Sequence, residues 1–245
     1  MVLKMKSHAL IMPKLQFDIK VDGADQTLTM KFTRDKKLIA GYRKLREDLY
    51  QIDPRFVGFR IFSEDDAENY EDPNDQMLIV HDEDGRCLGG ACLRVSTPER
   101  LVILDLEHDI LWLGKGFFSL RANLPEMALD KYSYAEFNRI VVDPSLRKGD
   151  IARQIFRAVL ERCIKYRVRY ITGIGDKVRI RLYKQIYNTL GLDCVVPTDL
   201  DIPMRPEYEG KKLYLICFDT KKFHITPQDP NATALLSPRS DFQFD

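Results

Sequence analysis

The chain has 245 residues and 28.5 kDa, with 38 Lys and Arg against 37 Asp and Glu, a net charge of +1, and 44% hydrophobic residues. Charge this balanced and apolar content this high exclude a disordered chain. No apolar run, Leu101 to Leu104 being typical, approaches the roughly 18 residues a membrane span needs. The first twelve residues carry two lysines, but their apolar stretch is short for a signal-peptide core and no small-residue cleavage site follows. Cys87, Cys92, Cys163, Cys194 and Cys217 are odd in number and include no Cys-x-x-Cys pair. They read as buried thiols in a reducing cytoplasm.

In chain order, residues 15 to 33 read as a hairpin, two partly alternating strands flanking the turn run Asp22 to Asp25. Residues 35 to 50 place Leu38, Ile39, Tyr42, Leu45 and Leu49 on one stripe of a helix, with Pro54 just beyond it. Strands over 77–82 and 86–95 flank Asp84-Gly85, a strong hairpin signal. Residues 99 to 133 carry only a weak pattern. A buried strand over 132–143 stops at Asp143-Pro144. A helix over 150–166 follows, with Ile151, Ile155, Val159 and Cys163 on its inner face. Then come a strand over 168–175, a helix over 177–190 ended by Gly191, and a last strand over 212–219. This order predicts an α/β (α+β) fold with a mixed, largely antiparallel central sheet flanked by helices. One domain covers 1–219, the first hairpin being an N-terminal extension, and 220–245 is a polar tail.

Overall neutrality hides two opposed blocks. Ten acids and no Lys or Arg lie between Glu64 and Asp84, a net −10. Twelve bases and three acids lie between Arg147 and Lys184, a net +9. Most such side chains are solvated surface, yet as blocks they suit a cationic or amine substrate and an acidic partner respectively. The basic block carries no nucleic-acid-reading motif, which leaves nucleic acid a minor alternative. His8, His81, His108 and His224 show no metal-ligand spacing. Trp112, Phe117 and Phe118 fit core packing or an acyl groove, and Asn231-Ala232-Thr233 would be a glycosylation acceptor only in a secreted chain.

Residues 135 to 192 resemble the acyl-CoA N-acyltransferase superfamily with the GNAT fold. Its turn of form Arg/Gln-x-x-Gly-x-Gly/Ala is matched at both ends by Arg147-Lys148-Gly149-Asp150-Ile151-Ala152, with the central Gly displaced and Asp150 in its place. Its Leu-Tyr-x-x-x-Gly-Phe is similar to Ile186-Tyr187-Asn188-Thr189-Leu190-Gly191-Leu192. That turn offers backbone N–H groups at a helix N-terminus to the coenzyme A pyrophosphate, which a carboxylate would repel.

A narrower branch, the acyl-homoserine-lactone synthases and long-chain N-acyl amino acid synthases, explains more of the chain. It is resembled at Lys44 to Tyr50 with Arg46, followed by Phe56 where the lactone synthases carry Trp. Asp66-x-Glu68-x-Tyr70-Glu71 is similar to its acid-x-acid-x-aromatic-acid segment. Gly89 to Pro98 with Arg94 resembles another of its strands, although Thr97 and Pro98 come early, and Glu136-Phe137-Asn138-Arg139 resembles its Glu-x-Ser-Arg. The resemblance implies a fatty acyl donor on acyl carrier protein, whose phosphopantetheine lacks the adenosine diphosphate end, with acyl-CoA as the alternative co-substrate and no tightly bound cofactor. It implies an acceptor that is an amino acid or, in the lactone synthases, S-adenosylmethionine.

Acyl transfer to an amine requires a base for the ammonium, donors for the thioester carbonyl and an acid for the leaving thiolate. The expected roles are Glu136 as base and Glu68 and Glu71, or Asp66 and Asp72 in another register, as amine-holding acids. Arg46, Arg94 and Arg139, with Phe56 and Asn138, would bind the acceptor or order those acids. Strict strand alternation places Glu136 and Arg139 on opposite faces. A bulge, as in GNAT proteins, would instead free an N–H from 138 to 140, Ile140 among them. Arg147, Lys148, Gly149, Ile151 and Ala152 would hold the donor. Tyr187 is either the thiol-protonating residue or a tyrosine of the apolar stripe. Alternatives are a GNAT acetyltransferase using acetyl-CoA and a non-catalytic module binding an acyl ligand or nucleic acid.

Overall fold

Turn chemistry and helix periodicity organise the chain much as its sequence predicts. The computed structural model describes residues 15–21, 24–52, 75–96, 123–129, 131–146, 150–195 and 212–222. Strands β1 (Leu15–Val21) and β2 (Ala24–Thr33) form the first hairpin, with pairing that reaches Val21 opposite Ala24. The second strand thus starts earlier than the turn run suggests. Helix α1 (Lys36–Ile52) begins where the Asp35 carboxylate accepts the N–H groups of Lys37 at 2.8 Å and Leu38 at 3.2 Å.

Strands β3 (Asp75–His81) and β4 (Cys87–Ser96) are joined through Gly85, whose φ of 79° needs a residue without Cβ. Strand β5 (Tyr134–Val142) ends in a short 3-10 turn over Pro144–Leu146, where the Asp143 carboxylate accepts from the Ser145 N–H at 3.0 Å and its hydroxyl at 2.6 Å. Helix α2 (Ile151–Lys165) buries the predicted Ile151, Ile155, Val159 and Cys163, together with Phe156 and Leu160. It closes with the Val168 N–H on the Cys163 carbonyl at 2.8 Å and Arg167 in the left-handed region, a place glycine usually takes.

Strand β6 (Tyr170–Gly175) leads to helix α3 (Lys177–Thr189), capped by Asp176, which accepts from the Val178 and Arg179 N–H groups at 3.0 and 2.9 Å. Gly191 at φ 83° ends it, with the Leu192 N–H on the Tyr187 carbonyl at 2.9 Å. The two-residue β7 (Cys194–Val195), too short to show in the sequence, and β8 (Tyr214–Asp219) complete the described strands.

All eight strands form one sheet in the order β1-β2-β3-β4-β5-β6-β8-β7. Every pair is antiparallel except β5 with β6, which α2 connects as a crossover. One face, carrying Leu78, Leu93, Ala135, Phe137, Ile171, Ile216 and Phe218, packs against α2 and α3. The opposite face divides. Met77, Ile79, Cys92 and Val141 pack under α1, whereas Tyr134, Tyr170, Leu215 and Cys217 pack with Leu124, Met127 and Leu129. Cys87, Cys92, Cys163 and Cys217 are buried and Cys194 is half-buried, and none of the five is in a disulfide.

Candidate active site

Between those two clusters the second face turns polar. Glu136 on β5 is fully buried, and its register partners are Arg94 on β4 and Thr172 on β6, which are 3% and 1% exposed. Laterally paired residues project to the same face, so the three form one buried polar row. The Thr172 hydroxyl donates to the Ala135 carbonyl at 3.0 Å, and Ser96, fully buried, lies one pleat along from Arg94. A carboxylate out of water is tolerable only beside cations or donors, and Arg94 is the cation directly across the ladder. Arg46 takes an inner position on α1 where the apolar stripe would continue, 8% exposed, its Nε donating to the Tyr50 hydroxyl at 3.1 Å. Thr172 and Ser96 escape motif reading because their polarity acquires meaning only from this register.

Strand β5 does not keep strict alternation. Gly90 pairs with Val141 and Cys92 with Asn138, so Arg139 and Ile140 together oppose Ala91. Arg139 has φ 56°, the left-handed region. This is the bulge that would re-aim 138–140, at a residue carrying no local signal of it. Here α1 reaches the sheet: the Tyr42 hydroxyl donates to the Arg139 carbonyl. The Tyr42 ring lies over Gly90, where a Cβ would stand 2.9 Å from the ring and 2.5 Å from the Leu78 carbonyl oxygen.

Next to the bulge the sheet opens. The parallel pairing of β5 with β6 covers only Tyr134–Glu136 with Tyr170–Thr172. At the following step a Cβ on Gly173 would come within 3.1 Å of the Phe137 carbonyl, and beyond it β6 pairs with β8 alone. On the α2/α3 face, an aromatic cluster includes Phe137, Phe156, Tyr183, Tyr187 and Phe218. The Tyr187 ring lies 4.9 Å from Phe156 and 3.9 Å from Phe218.

Tyr187 is 1% exposed, and its hydroxyl has no hydrogen-bond partner among the described residues. Burial pushes its phenol well above the ordinary value, with Cys163 and Tyr183 adding. Burial raises Tyr183 as well, to about 12. Tyr187 thus holds its proton firmly at neutral pH. Glu136 and Tyr187 occupy opposite faces of the sheet, so one reaction can use both only through the opening between β5 and β6.

At the start of α2, Asp150 caps no N–H with its side chain. Its exposed carboxylate instead meets Gln154 Nε2 at 3.3 Å and Arg153 Nη1 at 3.9 Å. Ile151 is packed in the core, leaving only its backbone for a donor, and Ala152 is half-buried. Arg147, Lys148 and Gly149 lie outside the described residues, as do Phe56, Asp66, Glu68, Glu71, Asp72, Trp112, Phe117 and Phe118. Asn138, Arg139 and Ile140 are half-buried at the bulge.

Only parts of the two charge blocks lie among the described residues. Asp82, Glu83 and Asp84 belong to the β3–β4 turn, where Asp82 Oδ1 accepts the Arg86 N–H at 2.8 Å. That turn lies at the far end of β3 from Asp75, the register partner of Arg94, about 20 Å along the strand at 3.3 Å per residue. In the basic block, Arg169 pairs with Asp219 at 2.6 Å and Arg162 lies over Phe32 and Tyr166. Lys177, Arg181 and Lys184 remain exposed on α3, beside exposed Val178 and Leu182.

Two solved structures are similar to this chain in fold. FeeM, an N-acyl amino acid synthase from uncultured soil microbes, is 13% identical with a TM-score of 0.55, over 80% of this chain and 92% of that one. BjaI, a CoA-dependent acyl-homoserine lactone synthase solved with SAM and isopentyl-CoA, is 16% identical with a TM-score of 0.52, over 77% and 80%. These likenesses speak to the fold. No curated protein sequence matches the chain. The model of the acetyltransferase (GNAT) family matches residues 42–186, from inside α1 through the crossover to α3. With more than half of its length so matched, the chain belongs to the acetyltransferase (GNAT) family of acyl-transferring enzymes.

Proposed function

We propose that the protein transfers a fatty acyl chain from acyl carrier protein to the amine of an amino acid or amino-acid derivative. The observation that carries this reading is the buried polar row Arg94–Glu136–Thr172 at the β5/β6 opening, with Tyr187 on the far side of the same opening. An incoming ammonium must lose a proton before it attacks the thioester carbon. Glu136 accepts that proton, directly or through water, while Arg46 and Arg94 order the carboxylates on the acceptor side. As the C–S bond breaks, the thiolate takes a proton from the Tyr187 hydroxyl, which has no competing acceptor among the described residues and regains a proton in the same step from the nitrogen that has added to the thioester carbon.

The carrier protein is favoured over a nucleotide-bearing donor by Asp150, a carboxylate at the helix start where a pyrophosphate would need positive potential. It is favoured too by the exposed Lys177, Arg181 and Lys184 on α3, a surface suited to an acidic partner. An acyl-CoA donor is the second reading, because the Asp150 carboxylate is drawn toward Arg153 and Gln154. The cytoplasm, with its reducing poise, suits five cysteines that form no disulfide.

The test incubates the purified protein with acyl carrier protein or coenzyme A loaded with chains of several lengths and a panel of amino acids, and identifies products by mass spectrometry. A fatty N-acyl amino acid formed from the carrier-protein donor is the expected result. Preferential acetyl transfer from acetyl-CoA would overturn it, and a lactone product from S-adenosylmethionine would move the acceptor to that compound. Glu136→Gln should lower turnover on the order of 10²-fold or more while the protein stays folded, and unchanged turnover would remove Glu136 as the base.

A further inference from the structure

We infer that Tyr42, on α1, is a positioning residue that aims the Ile140 backbone N–H at the reacting thioester carbonyl by holding the bulge in β5. The inference rests on the acyl-transfer reading above and extends it to a residue that touches neither substrate.

Tyr42 is fully buried, on the face of the sheet that α1 covers, and its hydroxyl donates to the Arg139 carbonyl. Arg139 sits at φ 56°, a conformation that a side chain bearing a Cβ adopts only against a penalty, so an external contact must sustain it. The Arg139–Ile140 peptide is trans, since the described backbone has no cis bond. In a trans peptide the carbonyl and the following N–H point in opposite directions. With the carbonyl drawn toward α1, the Ile140 N–H is turned toward the α2/α3 face, where the β5/β6 opening meets Tyr187. An N–H so fixed stabilises the oxyanion that forms when the amine adds to the thioester, and that stabilisation depends on its being aimed beforehand.

Gly90 makes the reach possible. With any Cβ there, the Tyr42 ring could not lie against β4, the clearance being 2.9 Å, nor could β4 keep its distance from Leu78. Three residues far apart in sequence, Tyr42, Gly90 and Arg139, thus act as one device. Nothing in the α1 stripe distinguishes Tyr42 from a packing residue until its hydroxyl is seen to end on a strained carbonyl.

The test is Tyr42→Phe, which keeps the ring and removes the hydroxyl. With the acyl donor that the wild type uses, kcat should fall about 10-fold, a part of what a whole oxyanion donor supplies, while KM for donor and acceptor stays within about twofold. Backbone amide exchange, followed by NMR in the substrate-free protein, should accelerate at residues 139–141 by a similar factor and stay unchanged in α2. Unchanged exchange at 139–141 overturns the inference whether or not any donor turns over. Faster exchange with unchanged kcat overturns the positioning role while leaving the hydrogen bond intact. A wild type inert toward every thioester would refute the acyl-transfer reading, and the inference with it, even if exchange responded.

Discussion

Replacing Tyr187 by Phe separates the two readings of that residue, because they predict the same gain in stability but different activity. The substitution keeps the ring against Phe218 at 3.9 Å and Phe156 at 4.9 Å and deletes only a buried hydroxyl that makes no hydrogen bond among the described residues. An unsatisfied buried polar group costs about 1–3 kcal/mol, so its removal should stabilise the protein by about 1–2 kcal/mol. In a chain of this size each kcal/mol moves Tm by about 2–4 °C, which places the expected rise at about 2–8 °C. If the phenol also protonates the leaving thiolate, kcat should fall on the order of 10²-fold. Calorimetry and steady-state kinetics on one preparation report both. A variant that is more stable and equally active would make Tyr187 a core residue alone. A less stable variant would refute the reasoning itself, since the hydroxyl would then be satisfied in the folded protein.

Gly90→Ala should destabilise by about 3 kcal/mol, the upper part of the overpacking range, because the Leu78 carbonyl at 2.5 Å is backbone and cannot rotate away; a urea midpoint equal to wild type would contradict the close approach. Stability should also fall on the alkaline side. Burial holds the Cys87 and Cys194 thiols near 11 against an ordinary 9.0, so the folded state retains protons that the unfolded chain releases. Stabilisation is then complete below about pH 9 and is lost as pH rises toward 11. Urea midpoints at pH 8 and pH 10.5 read this, and a flat profile would show that the thiols are not withdrawn from water.

The sequence was most legible where the interaction is local. The every-fourth stripe of α2, the Asp84-Gly85 hairpin and the stop at Gly191 each depend on residues within a few positions, and each stands in the structure. Glu136 and Arg139 were visible through resemblance. What brings Arg94 and Thr172 to Glu136 is ladder register, a relation among residues about 40 positions apart. Arg46 too was visible only through resemblance, because nothing local in the helix marks its guanidinium as a buried one. Adjacency in sequence also grouped the acids at 82–84 with Asp75, although the length of β3 separates them from it.

The strand order β6-β8-β7 sets a timetable for synthesis on the ribosome. Because β8 slots between two strands made before it, Phe218, the lid of the aromatic cluster, emerges after every other part of that cluster. Until residues 214–219 leave the exit tunnel, β6 presents a bare edge and the Tyr187 ring lacks its nearest neighbour. Nascent chains paused short of that point are thus the species most exposed to edge-to-edge association.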